Sequence, residues 1–333
     1  MSARHQGNTD PAKLSAAVLA GDLQALAAAI TLTESTLADD EVRAETLLRE
    51  LLPHSGKARR IGITGAPGVG KSTLIETLGT QLCDAGHRIA VLAVDPSSAR
   101  TGGSILGDKT RMQKLASRED AFIRPSPGGG TLGGTAAKTR ESLLVCEAAG
   151  FDVVIVETIG TGQSETAVAG MVDFFLLLLS PAAGDELQGI KRGVMELADG
   201  VIVHKADGNL LQAAEHAAQQ CRLALHVLNS GASSETQTPV LVGSSIEGRG
   251  MNEIWPMIEQ AIAAAQESGA FSSRRQQQAG EWLDASLRAR LLADFMADPE
   301  IAAALPKVRE AVMQGKELPG AATRQLLQLR KPR

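Results

Sequence analysis

The segment Gly65-Ala66-Pro67-Gly68-Val69-Gly70-Lys71-Ser72 fits the G-x-x-x-x-G-K-[ST] pattern of a phosphate-binding loop. It constrains the fold strongly, because the pattern needs a strand before it and a helix after it. The apolar run at residues 60–64 reads as that strand, and residues 72–78 read as the start of that helix. Glycines let successive backbone N–H groups turn inward and cradle phosphate oxygens. The helix N-terminus adds a field that favours negative charge. Residues Gly65, Ala66, Pro67, Gly68, Val69, Gly70, Lys71, Ser72 and Thr73 are therefore expected to wrap the phosphates. Lys71 is expected to reach the β- and γ-phosphates and Ser72 to hold Mg²⁺. A glycine loop with no ligand is the bland alternative, and the strand–loop–helix context disfavours it. The motif points to a nucleoside triphosphate but specifies neither base nor reaction.

Around this loop the chain alternates. Candidate strands lie at 60–64, 89–95, 121–125, 153–158, 174–179, 200–205 and 240–244. Candidate helices lie at 72–85, 110–117, 135–149, 189–197 and 210–223. Such alternation predicts an α/β fold of the P-loop NTPase kind, with a doubly wound, mainly parallel sheet. Ligands of such sheets bind at the carboxyl ends of the strands. Residues 12–52 read as helical, with a second helix beginning near Thr33, and 53–57 read as a break. After Ser245 the pattern becomes helical at 251–268, 276–297, 299–315 and 320–330, with a polar, Gln-rich linker at 269–278. The expected organisation is a helical N-terminal extension (1–57), a nucleotide-binding domain (58–268) and a C-terminal helical arm (269–333). The arm carries an apolar stripe, including Leu326, Leu327 and Leu329. Such a stripe is covered either by a second copy of the chain or by the arm's own domain.

Composition narrows the classes. Of 333 residues, 44% are hydrophobic, enough for a large core, while the net charge is −5 and aromatics are 2% with no tyrosine. A nucleic-acid binder would want a basic face or stacking rings, so none is expected as partner. Cys83, Cys146 and Cys221 are far apart and form no C-x-x-C pair, which suits small buried residues in a reducing compartment. The N-terminus shows neither a signal peptide nor the Arg-rich, acid-free pattern of a transit peptide. The most apolar run, 174–179, is too short for a bilayer. A cytoplasmic, membrane-independent protein is expected.

Four further segments fall where a nucleotide enzyme needs them. Glu157 ends the strand at 153–158 and is followed by Ile159-Gly160, which suits a metal-facing carboxylate and a backbone contact to a γ-phosphate. Asp95 ends another strand. The glycine-rich stretch 102–110 then carries Asp108, a candidate Mg²⁺ ligand or a helix N-cap. His204-Lys205-Ala206-Asp207 matches the [N/T]-K-x-D element that reads guanine, except that histidine stands first. Asp207 would accept from guanine N1–H and N2–H, a donor pair that adenine lacks. Lys205 would pack its stem on the ring. Gly243, Ser244 and Ser245 end the last strand, where the serine backbone donors are placed to meet the base oxygen. The charged stretch 184–193 is, by composition, no more than a solvated loop.

With these residues assembled, the chain resembles the MeaB family of GTPases, which chaperone cobalamin-dependent acyl-CoA mutases, notably methylmalonyl-CoA mutase. It is similar as well to bacterial members once described as an arginine/ornithine transport ATPase. The resemblance is carried by 65–73, 93–98, 101–112, 121–125, 153–165 and 185–193. It implies a Mg²⁺-dependent GTPase, a homodimer formed through the C-terminal helices, and slow turnover that the mutase stimulates. It implies that Asp95, Asp108 and Glu157 line the metal and water side. It further implies that residues 160–165, with Gln163, form a switch, and that Lys191 in the 185–191 loop moves onto the nucleotide when the mutase docks. A cobalamin adenosyltransferase is a further partner of such complexes. His204 and Thr161 depart from the family pattern. Two other readings compete: a nickel-insertion metallochaperone GTPase, which would want clustered His and Cys ligands, and a small-molecule P-loop kinase.

Overall fold

The computed structural model describes residues 10–94, 112–125, 132–158, 165–181, 192–229 and 237–329. Seven strands, β1 (Arg59–Gly65), β2 (Ile89–Val94), β3 (Ala121–Pro125), β4 (Val153–Thr158), β5 (Phe174–Leu179), β6 (Gly200–Val203) and β7 (Val240–Val242), form one sheet in the order β3-β2-β4-β1-β5-β6-β7. Every neighbouring pair is parallel. The fold is therefore a P-loop NTPase-like α/β fold, as the alternation predicts. The chain runs outward from β1 to β2 and β3, returns through β4, and only then crosses to β5 on the other side. The strand order thus reverses beside β1, and that is where a doubly wound sheet opens its ligand crevice.

The central strands are apolar throughout because both faces are covered. All six residues of β5 are buried, and they alternate between clusters on opposite faces. On one face, Ala90, Leu92, Val154, Val156 and Phe175 pack under the N-terminal helices α1 (Pro11–Leu19), α2 (Leu23–Glu34) and α3 (Ala38–Leu51), together with α6 (Leu132–Ala148). On the other, Ile61, Ile63, Val91, Ile155 and Leu176 pack under α4 (Lys71–Asp84) and α10 (Met251–Glu267). At about 1.5–3 kcal/mol for each fully buried large apolar side chain, β5 alone is a major source of stability. The remaining helices are α5 (Gln113–Ala116), α7 (Glu165–Ala169), α8 (Arg192–Leu197), α9 (Leu211–Asn229), α11 (Ala270–Met296), α12 (Pro299–Met313) and α13 (Pro319–Leu329).

Two sequence expectations change. The helical stretch before β1 is three helices rather than two, with Asp22 capping α2 through hydrogen bonds from Gln24 N (2.7 Å) and Ala25 N (3.1 Å). The Gln-rich stretch 269–278 is not a linker, since α11 runs unbroken from Ala270 to Met296. Glutamine and arginine are good helix formers, so polar composition there marks helix surface rather than a break. The described residues group into two compact units, Met1–Gln278 and Ala279–Arg333, that divide within α11. The helical N-terminal extension packs on the sheet within the first unit.

Candidate nucleotide site

The carboxyl ends of β1, β4, β6 and β7 bring together those predicted residues that are described: the phosphate loop, Glu157, Lys205, Asp207 and 243–245. After β1 the phosphate loop turns on glycines whose backbone angles other residues rarely adopt. Gly65 has φ +148°, and a Cβ there would lie 2.5 Å from the Leu178 carbonyl oxygen of β5. Gly70 has φ +103° and caps α4, and a Cβ there would meet the His204 ring at 2.6 Å. The loop is pinned internally, with Val69 N–H donating to the Ala66 carbonyl at 3.2 Å. Lys71 is buried, and its Nζ donates to the carbonyls of Gly65 (2.8 Å) and Ala66 (3.1 Å), so the ammonium sits inside the loop that bears it.

Beside it, Ser72 Oγ donates to Glu157 Oε1 at 3.0 Å, across 85 residues of sequence. Glu157 is 9% exposed at the end of β4, in register with Ile63 of β1 and Ala93 of β2. A serine hydroxyl and a carboxylate at the start of α4 offer hard oxygen ligands, the kind Mg²⁺ takes. Mg²⁺ usually keeps several waters and needs only one or two protein groups beside substrate phosphates. The pair therefore fits that ion, even though no group of three or more His, Cys, Asp or Glu gathers among the described residues. Next along β4, Thr158 Oγ1 donates to Thr64 Oγ1 at 2.8 Å, a fully buried clasp that ties β4 to β1 at the crevice.

The element expected to read a base, 204–207, forms beside the phosphate loop. His204 is 3% exposed. Its Nδ1 lies 2.9 Å from the Val69 carbonyl and its Nε2 lies 2.8 Å from Ser245 Oγ. A carbonyl only accepts, so Nδ1 carries the proton and Nε2 receives the serine hydroxyl. Burial holds the imidazole's pKa below the ordinary histidine value, which keeps the ring neutral. Lys205 adopts φ +61°, the one non-glycine residue with positive φ among the described residues, and it is exposed. Ala206 N–H donates to the Gly243 carbonyl at 3.1 Å and Gly243 N–H to the Val203 carbonyl at 2.9 Å, locking this loop to the end of β7.

Ser244 has a different use from the one its position suggests. Its N–H donates to the Arg249 carbonyl at 2.9 Å, and its Oγ donates to the Asp207 carboxylate. It therefore orients Asp207 and spends its backbone donor inside the loop, leaving Ser245 as the serine whose backbone could face a base. Sequence reasoning also missed Glu247, whose Oε1 accepts from Gly208 N–H at 2.9 Å and whose own N–H donates to Ser244 Oγ at 3.1 Å. Nothing in the local pattern marks that residue's carboxylate, because the Gly208 amide it accepts from belongs to another loop. Asp95, Asp108, Gln163 and Lys191 lie outside the described residues, as do 102–110, residues 160–164 of the switch, and 185–191.

Comparison with known proteins points the same way as the geometry. The family model described as methylmalonyl-CoA mutase-associated GTPase MeaB matches residues 26–300. A putative GTPase of Caulobacter vibrioides is 54% identical over 310 residues, covering 93% of this chain and 94% of that protein. The mitochondrial methylmalonic aciduria type A homolog of Mus musculus is 42% identical, covering 96% of this chain and 80% of its own. GTPase ArgK of Escherichia coli is 45% identical, with 92% of each covered. Among solved structures, one titled as an LAO/AO transport system kinase superposes with a TM-score of 0.75 at 37% identity, covering 98% of this chain and 99% of that one.

Proposed function

The chain belongs to the methylmalonyl-CoA mutase-associated GTPase (MeaB) family, and from that premise we propose that it is a Mg²⁺-dependent GTPase that chaperones a cobalamin-dependent acyl-CoA mutase, with methylmalonyl-CoA mutase the first candidate. The observation that carries the reading is the Ser72–Glu157 contact beside a phosphate loop that His204 bonds to the loop whose Asp207 carboxylate Ser244 orients. The first suits a metal–triphosphate and the second a guanine edge. Family membership supplies the mutase.

In this reading the loop N–H groups and Lys71 neutralise the β- and γ-phosphate oxygens, and Asp207 selects guanine by accepting two hydrogen bonds. Bound Mg²⁺ supplies charge neutralisation of the β/γ-phosphates. Ser72 and Glu157 would hold it, with Asp95 and Asp108 completing that side on the strength of the resemblance. Gln163 belongs to the switch that answers to the γ-phosphate, and Lys191 to the loop that the mutase completes. Hydrolysis alone is then slow, and the useful output is a change of state that the mutase reads. The protein works as a homodimer in a reducing cytoplasm, delivering or guarding the mutase's cofactor, with a cobalamin adenosyltransferase as a further member of the complex.

The test is nucleotide binding and turnover by the purified chain, with and without methylmalonyl-CoA mutase. Lys71→Ala should weaken GTP and GDP binding about 100-fold, roughly 2.7 kcal/mol. Lys191→Ala should spare binding and remove the mutase-stimulated part of the rate. Preference for ATP, or turnover indifferent to every acyl-CoA mutase, would sink the proposal.

A further inference from the structure

Short helix α7 follows directly on the stretch read as the γ-phosphate switch, and what holds its far end is unusual. Gln278 of α11 donates from Nε2 to the Val172 carbonyl at 2.8 Å and the Ala169 carbonyl at 3.5 Å. Arg140 of α6 donates from Nη2 to the Gly170 carbonyl at 2.6 Å and from Nη1 to the backbone carbonyl of Gln278 at 3.2 Å. Carbonyls at a helix C-terminus have no partner within the helix, and here two side chains from separate helices supply one. One turn earlier on the same face of α11, Arg275 forms two hydrogen bonds to the Asp173 carboxylate (2.8 and 2.7 Å). Asp173 also accepts from Arg60 N–H of β1 at 2.8 Å. Arg274 of α11 adds a bond from Nη1 to the Asp173 carbonyl at 2.7 Å, so α11 grips residues 169–173 at two places, Asp173 and 169–172. One grip rests on the sheet and the other on the end of the switch helix.

The second grip is incomplete. Gln278 is 8% exposed, yet its Oε1 is buried with no hydrogen-bond partner among the described residues. An unsatisfied buried acceptor costs about 1–3 kcal/mol, and such a cost in a native structure asks for a reason. The two carbonyls fix the amide with its nitrogen toward α7, so a simple flip would only lose donors. An arrangement in which α7 shifts, and Oε1 gains a donor, would relieve it. The same glutamine can then favour either of two positions of the segment, which is what a two-state element needs.

We propose that Gln278, braced by Arg140, relays the state of the nucleotide switch from α7 to α11. It acts as a positioning residue that touches neither nucleotide nor metal. Arg275 on Asp173 is the fixed pivot and Gln278 on 169–172 is the part that responds. This rests on the proposed GTPase reading, because a switch must exist for the relay to carry it.

Hydrogen–deuterium exchange of the full-length protein, with Mg²⁺ and either GDP or a non-hydrolysable GTP analogue, tests the proposal. Wild type should show a nucleotide-dependent change of at least about threefold in exchange rate over residues 274–296. Gln278→Met keeps the length and apolar bulk but loses the amide. It should bind both nucleotides within about twofold of wild type and lose that change. Arg140→Lys, which keeps the charge but not the two-point bridge, should reduce it. If wild type shows no change on α11, or if the change survives in full in either folded variant, the relay is wrong. Failure to bind guanine nucleotide at all would instead overturn the GTPase reading, and a separate binding titration distinguishes the two.

Discussion

His204 Nδ1 lies 2.9 Å from the carbonyl oxygen of Val69, so the loop carrying Lys205 and Asp207 is bonded to the phosphate loop through one neutral ring. The ring's other nitrogen takes the Ser245 hydroxyl at 2.8 Å, which adds the loop after β7 to the same chain of contacts. Histidine in the first position of this element therefore serves the protein rather than the base. His204→Asn can still reach one of the two partners and should keep guanine nucleotide affinity within about threefold of wild type. His204→Ala strands a buried carbonyl and a hydroxyl, at a cost of about 1–3 kcal/mol, or a loss of about 5- to 150-fold. Calorimetric titration with GDP ranks the three proteins. Equal affinity of the alanine variant and wild type would remove this role.

The same ring gives a pH signature. Its pKa in the folded protein is lowered by burial, while the unfolded chain takes up its proton near the ordinary value of 6.5. Between those two values the unfolded state binds more protons, so stability must fall as pH drops from about 6.5 toward the lower folded value. His204→Asn should remove that component. Thermal melts of both proteins from pH 7.5 to 5 measure it, and parallel curves would contradict a neutral buried His204.

Glu157 and Ser72 are 85 positions apart in sequence and 3.0 Å apart in space. If they share Mg²⁺, Glu157→Gln should raise the Mg²⁺ concentration needed for half-maximal GTP hydrolysis by about tenfold, close to 1.4 kcal/mol. GDP binding without metal should change little, because the phosphate loop itself is untouched. A Mg²⁺ titration of the rate, paired with metal-free GDP binding, separates a metal ligand from a residue that merely supports the fold.

The phosphate loop and the parallel, doubly wound sheet were legible because strand, loop and helix are each written in consecutive residues. Strands β3, β4 and β5 match their sequence expectations to the residue, since buried parallel strands are short apolar runs with sharp polar edges. What the sequence hides is pairing at a distance. Nothing near Ser244 says that its hydroxyl orients Asp207, and nothing near Gln278 says that its amide caps a helix more than 100 positions earlier. The Gln-rich stretch misled for a related reason. A helix whose polar residues bond to other elements looks like a linker when read alone.

Asp173 and Arg275 form a nearly buried ion pair, their side chains 1% and 16% exposed, at the amino end of β5. Arg275 also donates to the Ala58 carbonyl at 2.7 Å, so the pair holds the start of α11 against both β1 and β5. The Asp173 carboxylate holds the guanidinium's pKa above its usual value despite the cost of burying it. Removing one partner leaves the other charge buried, and Asp173→Ala should cost about 3–5 kcal/mol. The first unfolding transition of the melt should move down accordingly. Arg275→Lys should recover only part of the loss, because a single ammonium cannot replace a forked, two-point contact.

Leu283, Leu287 and Leu291 recur every four residues along α11 and are 69%, 55% and 51% exposed. That spacing puts them on one face of the helix, and Leu292 and Met296 widen it. An apolar stripe of this length is an ordinary cost for a surface only if something covers it, and the proposed homodimer supplies a second copy of the same stripe. Leu287→Glu with Leu291→Glu would place two carboxylates from each copy across a symmetric interface, adding repulsion to the loss of apolar area. The pair should convert a dimer to a monomer at micromolar concentration, as read by light scattering after size-exclusion chromatography. GDP affinity should stay within about twofold of wild type, since these residues belong to the unit that follows Gln278 and the phosphate loop to the one before it. A wild-type chain that is already monomeric, or a double variant that remains dimeric, would show that the stripe is not the dimer's seam.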